Sequence, residues 1–186
     1  MYMLTPTAEL PWNAGGPDPD LVDLVESGTI SSQPRVGHSL AHRQALDIGS
    51  GPGHDSVYLI QHGFDVIGID ISPSAITLTR ENVSNHGLFG FFQVGDIRHI
   101  PVEDKWVDFA NDRGCFHMVD AADQPAAAAE IARVMKPRGL FLLKMFAESQ
   151  NLEALFHSAF HTLRSWPGEF AGPAKRKSHT FLLERK

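Results

Sequence analysis

The sequence predicts an α/β fold with a mostly parallel sheet. Short apolar segments of strand length alternate with segments of helical periodicity across residues 45–146, a spacing typical of strand–helix–strand units. The segment Val66-Ile-Gly-Ile-Asp70 is nearly continuous in apolar character, which suits a strand covered on both faces. A length of 186 residues fits one domain. We predict a single domain with an N-terminal arm and connector (1–44), a central core (45–146) and a C-terminal part (147–186) that completes the sheet.

The elements follow one another with recognisable starts and stops. After Asp20 the apolar residues recur at helical spacing, and Gly28 ends that helix. Ser72 and Pro73 are typical of a helix start. Strands are predicted over 45–49, 66–70, 91–94, 107–110 and 140–146, with weaker ones near 161–165 and 179–185. Helices are predicted over 54–62, 72–86 and 151–159. A further helix is predicted to start at Asp120 or Asp123 and to end at Lys136-Pro-Arg-Gly139. A connector over 31–43 and a surface loop over 168–177 complete the chain.

Composition excludes several classes of function. There are 16 basic and 22 acidic residues, and the net charge of −6 argues against a nucleic-acid backbone as the main partner. The single cysteine, Cys115, excludes an intramolecular disulfide framework and a cysteine-based zinc site. The histidines show no metal-ligand spacing, so no metal is expected. No transmembrane run or signal peptide is visible, so we expect a cytoplasmic protein without a membrane partner.

A glycine turn is the sharpest motif. Asp47-Ile-Gly-Ser-Gly-Pro-Gly53 follows the first core strand and opens a helix. Glycines let the backbone approach a ligand closely, and the helix start presents unpaired N–H groups. Dinucleotide-binding turns have the spacing Gly-x-Gly-x-x-Gly, whereas His54 occupies the third glycine position here. This spacing weighs against a nicotinamide-dependent oxidoreductase.

Four successive predicted strands end in or near a carboxylate: Asp47, Asp70, Asp96 and Asp112. The carboxyl ends of parallel strands share one edge of the sheet, where ligands bind. A carboxylate that follows the second strand, as Asp70 does, is placed to bind ribose hydroxyls. We therefore expect the four side chains to line one edge of the sheet.

The glycine turn, Asp70, Gly95-Asp96 and Lys136-Pro-Arg-Gly139, in this order, resemble the class I S-adenosylmethionine-dependent methyltransferases over about residues 45–146. The resemblance implies a Rossmann-like sheet of seven strands with an antiparallel last strand and helices on both faces. It also implies S-adenosylmethionine as cofactor and S-adenosylhomocysteine as product.

The resemblance also assigns roles by position. In that family the glycine turn packs beneath the methionine moiety, and the acid after the second strand binds the ribose. The acid after the third strand binds the adenine amino group, and the apolar residues beside the two acids flank the adenine ring. The expected cofactor-binding residues of the core are Asp47, Gly49, Ser50, Gly51, Gly53, Asp70, Ile71, Asp96 and Ile97.

The N-terminal segment Pro11-Trp-Asn-Ala-Gly-Gly-Pro-Asp-Pro19 is similar to the lid of thiol, thiopurine and halide methyltransferase relatives. In those relatives a tryptophan lies against the cofactor, and Trp12 matches it. The sequence departs from them at Asn13, where aspartate is usual, and in a longer connector before Gln44. A simple anchoring role for Trp12 is the alternative.

The loop Asp112-Arg-Gly-Cys-Phe-His117 follows the fourth strand and is similar to an Asp-Arg-Gly element of thiopurine methyltransferases. His117 is the candidate general base, because an unperturbed imidazole has a pKa near 6.5. Arg113 is a candidate for holding an anionic acceptor, and Asp112 completes the candidate catalytic set. The alternatives are a packed or solvated His117, a bracing Asp112 and a Cys115 that is only a small apolar residue.

The predicted function is in-line methyl transfer to a small-molecule nucleophile, with a thiol among the candidates. The size of the chain favours this, because little of it remains after the core for recognising a large substrate. A minimal nucleic-acid methyltransferase and a non-catalytic protein that binds S-adenosylmethionine remain the alternatives.

Overall fold

The structure of the protein is a computed structural model that describes residues 15–33, 43–171 and 175–186, apart from the side chain of Gln150. The strands are β1 (Gln44–Ile48), β2 (Asp65–Asp70), β3 (Phe91–Val94), β4 (Val107–Arg113), β5 (Met135–Phe146), β6 (Phe160–Glu169) and β7 (Lys177–Arg185). The α-helices are α1 (Pro19–Glu26), α2 (His54–Gln61), α3 (Pro73–Asn85) and α4 (Gln124–Val134). Two 3-10 helices span Phe116–Met118 and Ala147–Phe156.

One sheet of seven strands has the order β3-β2-β1-β4-β5-β7-β6. Strands β1 to β5 pair in parallel, and β7 lies antiparallel to both β5 and β6. The predicted fold class, a mostly parallel seven-stranded sheet with an antiparallel last strand, is therefore confirmed. The strand order places the carboxyl ends of β1 to β5 along a single edge.

The core lies on both faces of the sheet because successive strand residues point to opposite faces. On one face, Leu46 and Ile48 of β1 belong to a buried apolar cluster with Ile131 of α4. On the other face, Ala45 belongs to a second cluster that includes Ile76 of α3. Leu21 of α1 and Val57 of α2 belong to the same second cluster, so helices cover both faces.

Several boundaries differ from the prediction, including the ends of β4 and β6, which run past residues 110 and 165 to Arg113 and Glu169. The strand predicted from residue 140 begins at Met135, which pairs with Val107 of β4 before a register shift. Main-chain pairing with β4 therefore draws the predicted terminator segment into the strand. The helix predicted over 151–159 is a 3-10 helix over Ala147–Phe156.

The described chain contains no helix long and apolar enough to cross a bilayer. The predicted single-domain organisation stays a prediction, because 1–14, 34–42 and 172–174 lie outside the described residues.

Candidate functional site

A cleft of about 240 Å³ lies at the carboxyl edge of the sheet, beside the ends of β1, β2, β3 and β4. The predicted cofactor-binding residues that line it are Gly49, Asp70, Ile71, Asp96 and Ile97. The edge that carries the predicted acids is thus the edge that carries the cleft. In the part of the chain described here, no group of three or more His, Cys, Asp or Glu side chains could hold a metal ion.

The glycine turn needs its glycines for two reasons. Gly49, Gly51 and Gly53 have φ angles of +69°, +53° and +79°, in the left-handed region that favours glycine. A Cβ added at Gly49 would also lie 2.7 Å from the Cβ of Cys115. The thiol-bearing side chain therefore packs directly against the turn, and burial raises the pKa of the Cys115 thiol well above its usual range.

The carboxylate of Asp70 is fixed by two backbone donors. Its Oδ2 accepts the N–H of Gly51 at 3.0 Å, and its Oδ1 accepts the N–H of Ser72 at 2.9 Å. One donor lies in the glycine turn, and the other is at the N-cap of α3. The remaining lone pairs of a carboxylate held at the cleft can accept hydrogen bonds from a diol.

Asp96 is held by an arginine that sequence reasoning missed. Arg98 donates from Nε to Asp96 Oδ1 at 2.9 Å, and its other arm donates to Asp123 at 2.5 Å. Hydrogen bonds from Arg98 lower the pKa of Asp96 to about 2, so this carboxylate is ionised at neutral pH. Arg98 and Asp123 also line the cleft. The only indication of this ion pair in the sequence is that Arg98 stands two positions after Asp96.

Exposed apolar side chains form part of the cleft lining. Ile71 is 72% exposed and Met118 is 71% exposed, whereas Ile97 is buried. Large apolar groups left exposed at a concave surface are typical of a ligand site. The sequence prediction did not include Met118, because a single methionine after a loop has no motif or spacing that indicates a binding site.

Asp47 lies beneath the turn rather than in the cleft lining. Its carboxylate is buried and accepts hydrogen bonds from Ser56 Oγ at 2.6 Å and from Asn111 Nδ2 at 3.2 Å. Burial, with the neighbouring charge of Asp55, raises its pKa to about 6. The geometry assigns this side chain to bracing the turn.

Ser50 and Gly53 contact the same residue of α3. Ser50 is buried, and its hydroxyl lies 3.2 Å from the hydroxyl of Thr79. Thr79 also donates to the carbonyl of Gly51 at 2.7 Å. A Cβ at Gly53 would lie 2.8 Å from Thr79 Cγ2. These contacts hold the turn against α3. Ser50 and Gly53 therefore support the position of the turn and do not line the cleft.

The candidate catalytic Asp112 is fully buried. Its carboxylate accepts the N–H groups of Gly114, Cys115 and Phe116 at 2.9, 2.7 and 2.9 Å. Burial raises its pKa to about 7 despite these three hydrogen bonds. Its position under the loop fits bracing of the backbone.

The candidate Arg113 also has partners already. Its Nε lies 3.3 Å from a carboxylate oxygen of Asp55, and one NH1 donates to the carbonyl of Gly16 at 3.3 Å. The side chain is 14% exposed. The structure therefore brings this guanidinium to the N-terminal arm. Trp12, the predicted lid residue of that arm, lies outside the described residues.

His117 lies in an aromatic cluster. Its ring centroid is 4.0 Å from that of Phe146 and 6.1 Å from that of Phe170. Burial, followed by the positive charge of Arg176, lowers its pKa to about 4. Its Nδ1 is buried without a hydrogen-bond partner among the described residues. At neutral pH the ring is uncharged, and the lowered pKa makes its nitrogen a weaker base than the value near 6.5 behind the sequence prediction.

A buried lysine anchors the start of α1 and was also missed by sequence reasoning. Lys144 Nζ lies 2.8 Å from Asp18 and 2.9 Å from Asp20. Asp20 also accepts from Trp166 Nε1 at 2.9 Å and from Thr180 Oγ1 at 2.7 Å. These contacts tie the arm to β5, β6 and β7 beside the loop that carries the candidate catalytic residues.

Comparisons with known proteins identify similar chains. A family profile described as a methyltransferase domain matches residues 46–143. Among curated relatives, the 2-heptyl-1-hydroxyquinolin-4(1H)-one methyltransferase of Mycobacteroides abscessus is 26% identical over 140 residues, covering 75% of this chain and 57% of the relative. The EEF1A lysine methyltransferase 2 of Danio rerio is 32% identical over 132 residues, covering 66% of this chain and 56% of the relative. The chain thus spans little more than half the length of these relatives.

A solved structure with a very similar fold comes from work on the conversion of a disulfide bond into a thioacetal group during echinomycin biosynthesis. It superimposes with a TM-score of 0.82 at 21% sequence identity and covers 98% of this chain and 88% of the other. At this identity the likeness concerns the fold.

Proposed function

This chain belongs to the methyltransferase-domain family, and on that premise we propose that it transfers the methyl group of S-adenosylmethionine to a small-molecule nucleophile in the cytoplasm. Thiols and acidic hydroxyl compounds are the first candidate acceptors. The observation that supports the proposal is the order of groups along one cleft. The glycine turn follows β1, Asp70 ends β2 and Asp96 follows β3, all at one edge of the sheet.

The residues present fit the cofactor. Gly49 of the glycine turn lines the cleft without a side chain of its own, which suits close approach of the methionine part to the backbone. Asp70 suits the ribose diol and Asp96 suits the adenine amino group, because both are acceptors that line the cleft. Ile71, Ile97 and Met118 supply apolar surface for the adenine ring.

When bound, S-adenosylmethionine supplies a methyl carbon attached to a positively charged sulfur, which is open to in-line displacement. A lone pair of the acceptor forms the new bond to the methyl carbon while the carbon–sulfur bond breaks, leaving its electron pair on sulfur. For a neutral acceptor we propose that an imidazole nitrogen of His117 takes the proton. Asp112 acts indirectly by holding the loop, and Arg113 acts by holding the arm through Gly16.

A small acceptor is favoured by charge and by similarity. The chain carries a net charge of −6, which opposes binding to a nucleic-acid backbone. The Mycobacteroides abscessus relative is named for a small N-hydroxyquinolinone. This relative supports a panel of small hydroxyl compounds, with thiols beside them, as the first screen.

The test is calorimetric titration with S-adenosylhomocysteine. We expect saturable binding by the wild-type chain and roughly tenfold or greater weakening in Asp70→Asn, because a charged hydrogen-bond acceptor is worth about 1.5–3 kcal/mol. Asp65→Asn is the matched control, since Asp65 starts the same strand at its opposite, exposed end. No heat at high micromolar ligand, or equal affinity in Asp70→Asn, would contradict the proposal.

A further inference from the structure

We propose that the methyl acceptor is an uncharged aromatic compound that binds against the rings of His117, Phe146 and Phe170, here called the aromatic wall. This inference rests on the proposed function, because it names the substrate class of the same site. It is carried by the position of the wall, by the packing of its rings and by the pairing of the charges around it.

The position follows from the order of strands. Asp96 follows β3, Asp70 ends β2 and the glycine turn follows β1, so the next positions along the edge are the ends of β4 and β5. His117 lies in the loop after β4, and Phe146 is the last residue of β5. The wall therefore lies beyond the glycine turn, at the end of the site opposite Asp96.

Chain neighbours of His117 connect the wall with the cleft. Cys115 and Met118, on either side of His117 in the chain, both line the cleft. Gly114 lies behind the rings, since a Cβ there would be 3.2 Å from His117 Cε1 and 3.2 Å from Phe170 Cε1. The glycine thus allows two rings to lie against the segment that follows β4.

The rings are spaced for aromatic packing. The centroid of Phe146 is 4.0 Å from that of His117 and 5.2 Å from that of Phe170. All three side chains are only partly buried in this structure. Partly exposed aromatic rings at such spacings bind a further ring through offset or edge contacts. A planar aromatic acceptor is therefore preferred over an aliphatic one of equal size.

The charges at the wall disfavour an anionic acceptor. Among the described residues, the cations that contact its rings are Lys144, 5.6 Å from the centroid of Phe170, and Arg176, 3.4 Å from the centroid of Phe146. Lys144 is bound by two carboxylates, and Arg176 lies 2.6 Å from Glu148. A phosphate or carboxylate placed at the rings would have to compete with the carboxylates that hold the buried Lys144, and with Glu148 for the exposed Arg176.

One polar atom at the wall remains without a partner among the described residues. This is Nδ1 of His117, which is buried. A buried polar atom without a partner is costly. An aromatic acceptor with a thiol or hydroxyl group supplies a donor to an imidazole nitrogen at the place where the ring packs.

The test compares two methylated products of equal size, thioanisole and cyclohexyl methyl sulfide, by NMR titration of the protein saturated with S-adenosylhomocysteine. Neither compound ionises, so the comparison isolates the aromatic ring. We expect thioanisole to bind about fivefold or more tightly. We also expect 4-(methylthio)benzoate to bind more weakly than thioanisole.

Phe146→Leu and Phe170→Leu should each reduce the aromatic preference to about twofold or less. Phe89→Leu is the matched control, because Phe89 is 93% exposed and precedes β3 at the far edge of the sheet. If one of these two variants fails to fold, the aromatic preference measured with the other still tests the proposal.

Two failures are distinguishable. A protein that binds S-adenosylhomocysteine but binds both sulfides equally overturns the aromatic assignment and leaves the proposed function standing. A protein that does not bind S-adenosylhomocysteine overturns the proposed function and this inference with it. Tighter binding of the benzoate than of thioanisole also overturns the assignment to an uncharged acceptor.

Discussion

Replacing Lys144 by methionine should destabilise the protein strongly, because it removes the counter-charge of a buried ion pair. The side chains of Lys144 and Asp18 are 4% and 3% exposed, and Nζ lies 2.8 Å from the carboxylate. Breaking such a pair by removing one partner costs about 3–5 kcal/mol, since the remaining charge stays buried. Burial already raises the pKa of Asp18 even though Lys144 lowers it.

The loss should depend on pH. Without Lys144 the pKa of Asp18 in the folded state rises further above its ordinary value, so the folded variant binds a proton that the unfolded chain releases above about pH 4. The destabilisation is therefore largest near pH 8 and shrinks as the pH falls toward 5. Asp18→Asn combined with Lys144→Met should recover most of the loss, because the more deeply buried carboxylate is then uncharged and Asp20 keeps its hydrogen bonds from Trp166 and Thr180.

The assay is urea unfolding followed by circular dichroism at pH 8 and pH 5, with Lys136→Met as the control. Lys136 is on the same strand and lies 2.7 Å from Asp108, but its side chain is 40% exposed. Such an exposed pair is worth about 0–1 kcal/mol. Equal losses for the two lysine variants, or a loss in Lys144→Met that does not change with pH, would refute the reasoning.

Two further predictions concern the glycine turn and His117. Gly49→Ala should weaken S-adenosylhomocysteine binding at least about tenfold, because the added Cβ would lie 2.7 Å from that of Cys115. Gly28→Ala is the control for backbone strain alone, because Gly28 also has a positive φ of +73° but has open space around it. Equal affinity in wild type and Gly49→Ala would count against the site. NMR titration should give His117 a pKa near 4. Because this folded-state value is below the unfolded value near 6.5, its stabilising contribution is complete above pH 6.5 and is lost as the pH falls toward 4. The unfolding free energy of wild type relative to His117→Gln should therefore drop between pH 7.5 and 4.5, and a constant difference would contradict the burial of this imidazole.

Much of the fold could be predicted because its signals are local. The Ser72-Pro73 start of α3 and the glycine turn lie where the sequence predicts them, since a cap and a positive φ are requirements of single residues. The start of β5 could not be predicted in this way. Met135 has helical spacing with Ile131, yet it pairs with Val107, a residue that local periodicity does not reveal.

The candidate site divides in the same manner. Gly49, Asp70 and Asp96 were predicted to share an edge because parallel strands end together, and all three line the cleft. The interactions of Arg98 with Asp96 and Asp123 were not predicted, because Asp123 is supplied by the start of α4. Whether a carboxylate is accessible or already bound by an arginine depends on such distant partners.

The sequence by itself determined the order of strands and helices, the positive-φ turn and the placement of acids at strand ends, because these depend on neighbouring residues and on the direction of each strand. Only the tertiary structure decided which charged groups are buried and which are paired. Arg113, predicted to hold an acceptor, lies against Asp55 and Gly16, and Lys144 reaches Asp18 across 126 residues of chain. Burial sets the pKa values of such groups, and burial is a property of the packed chain rather than of any segment.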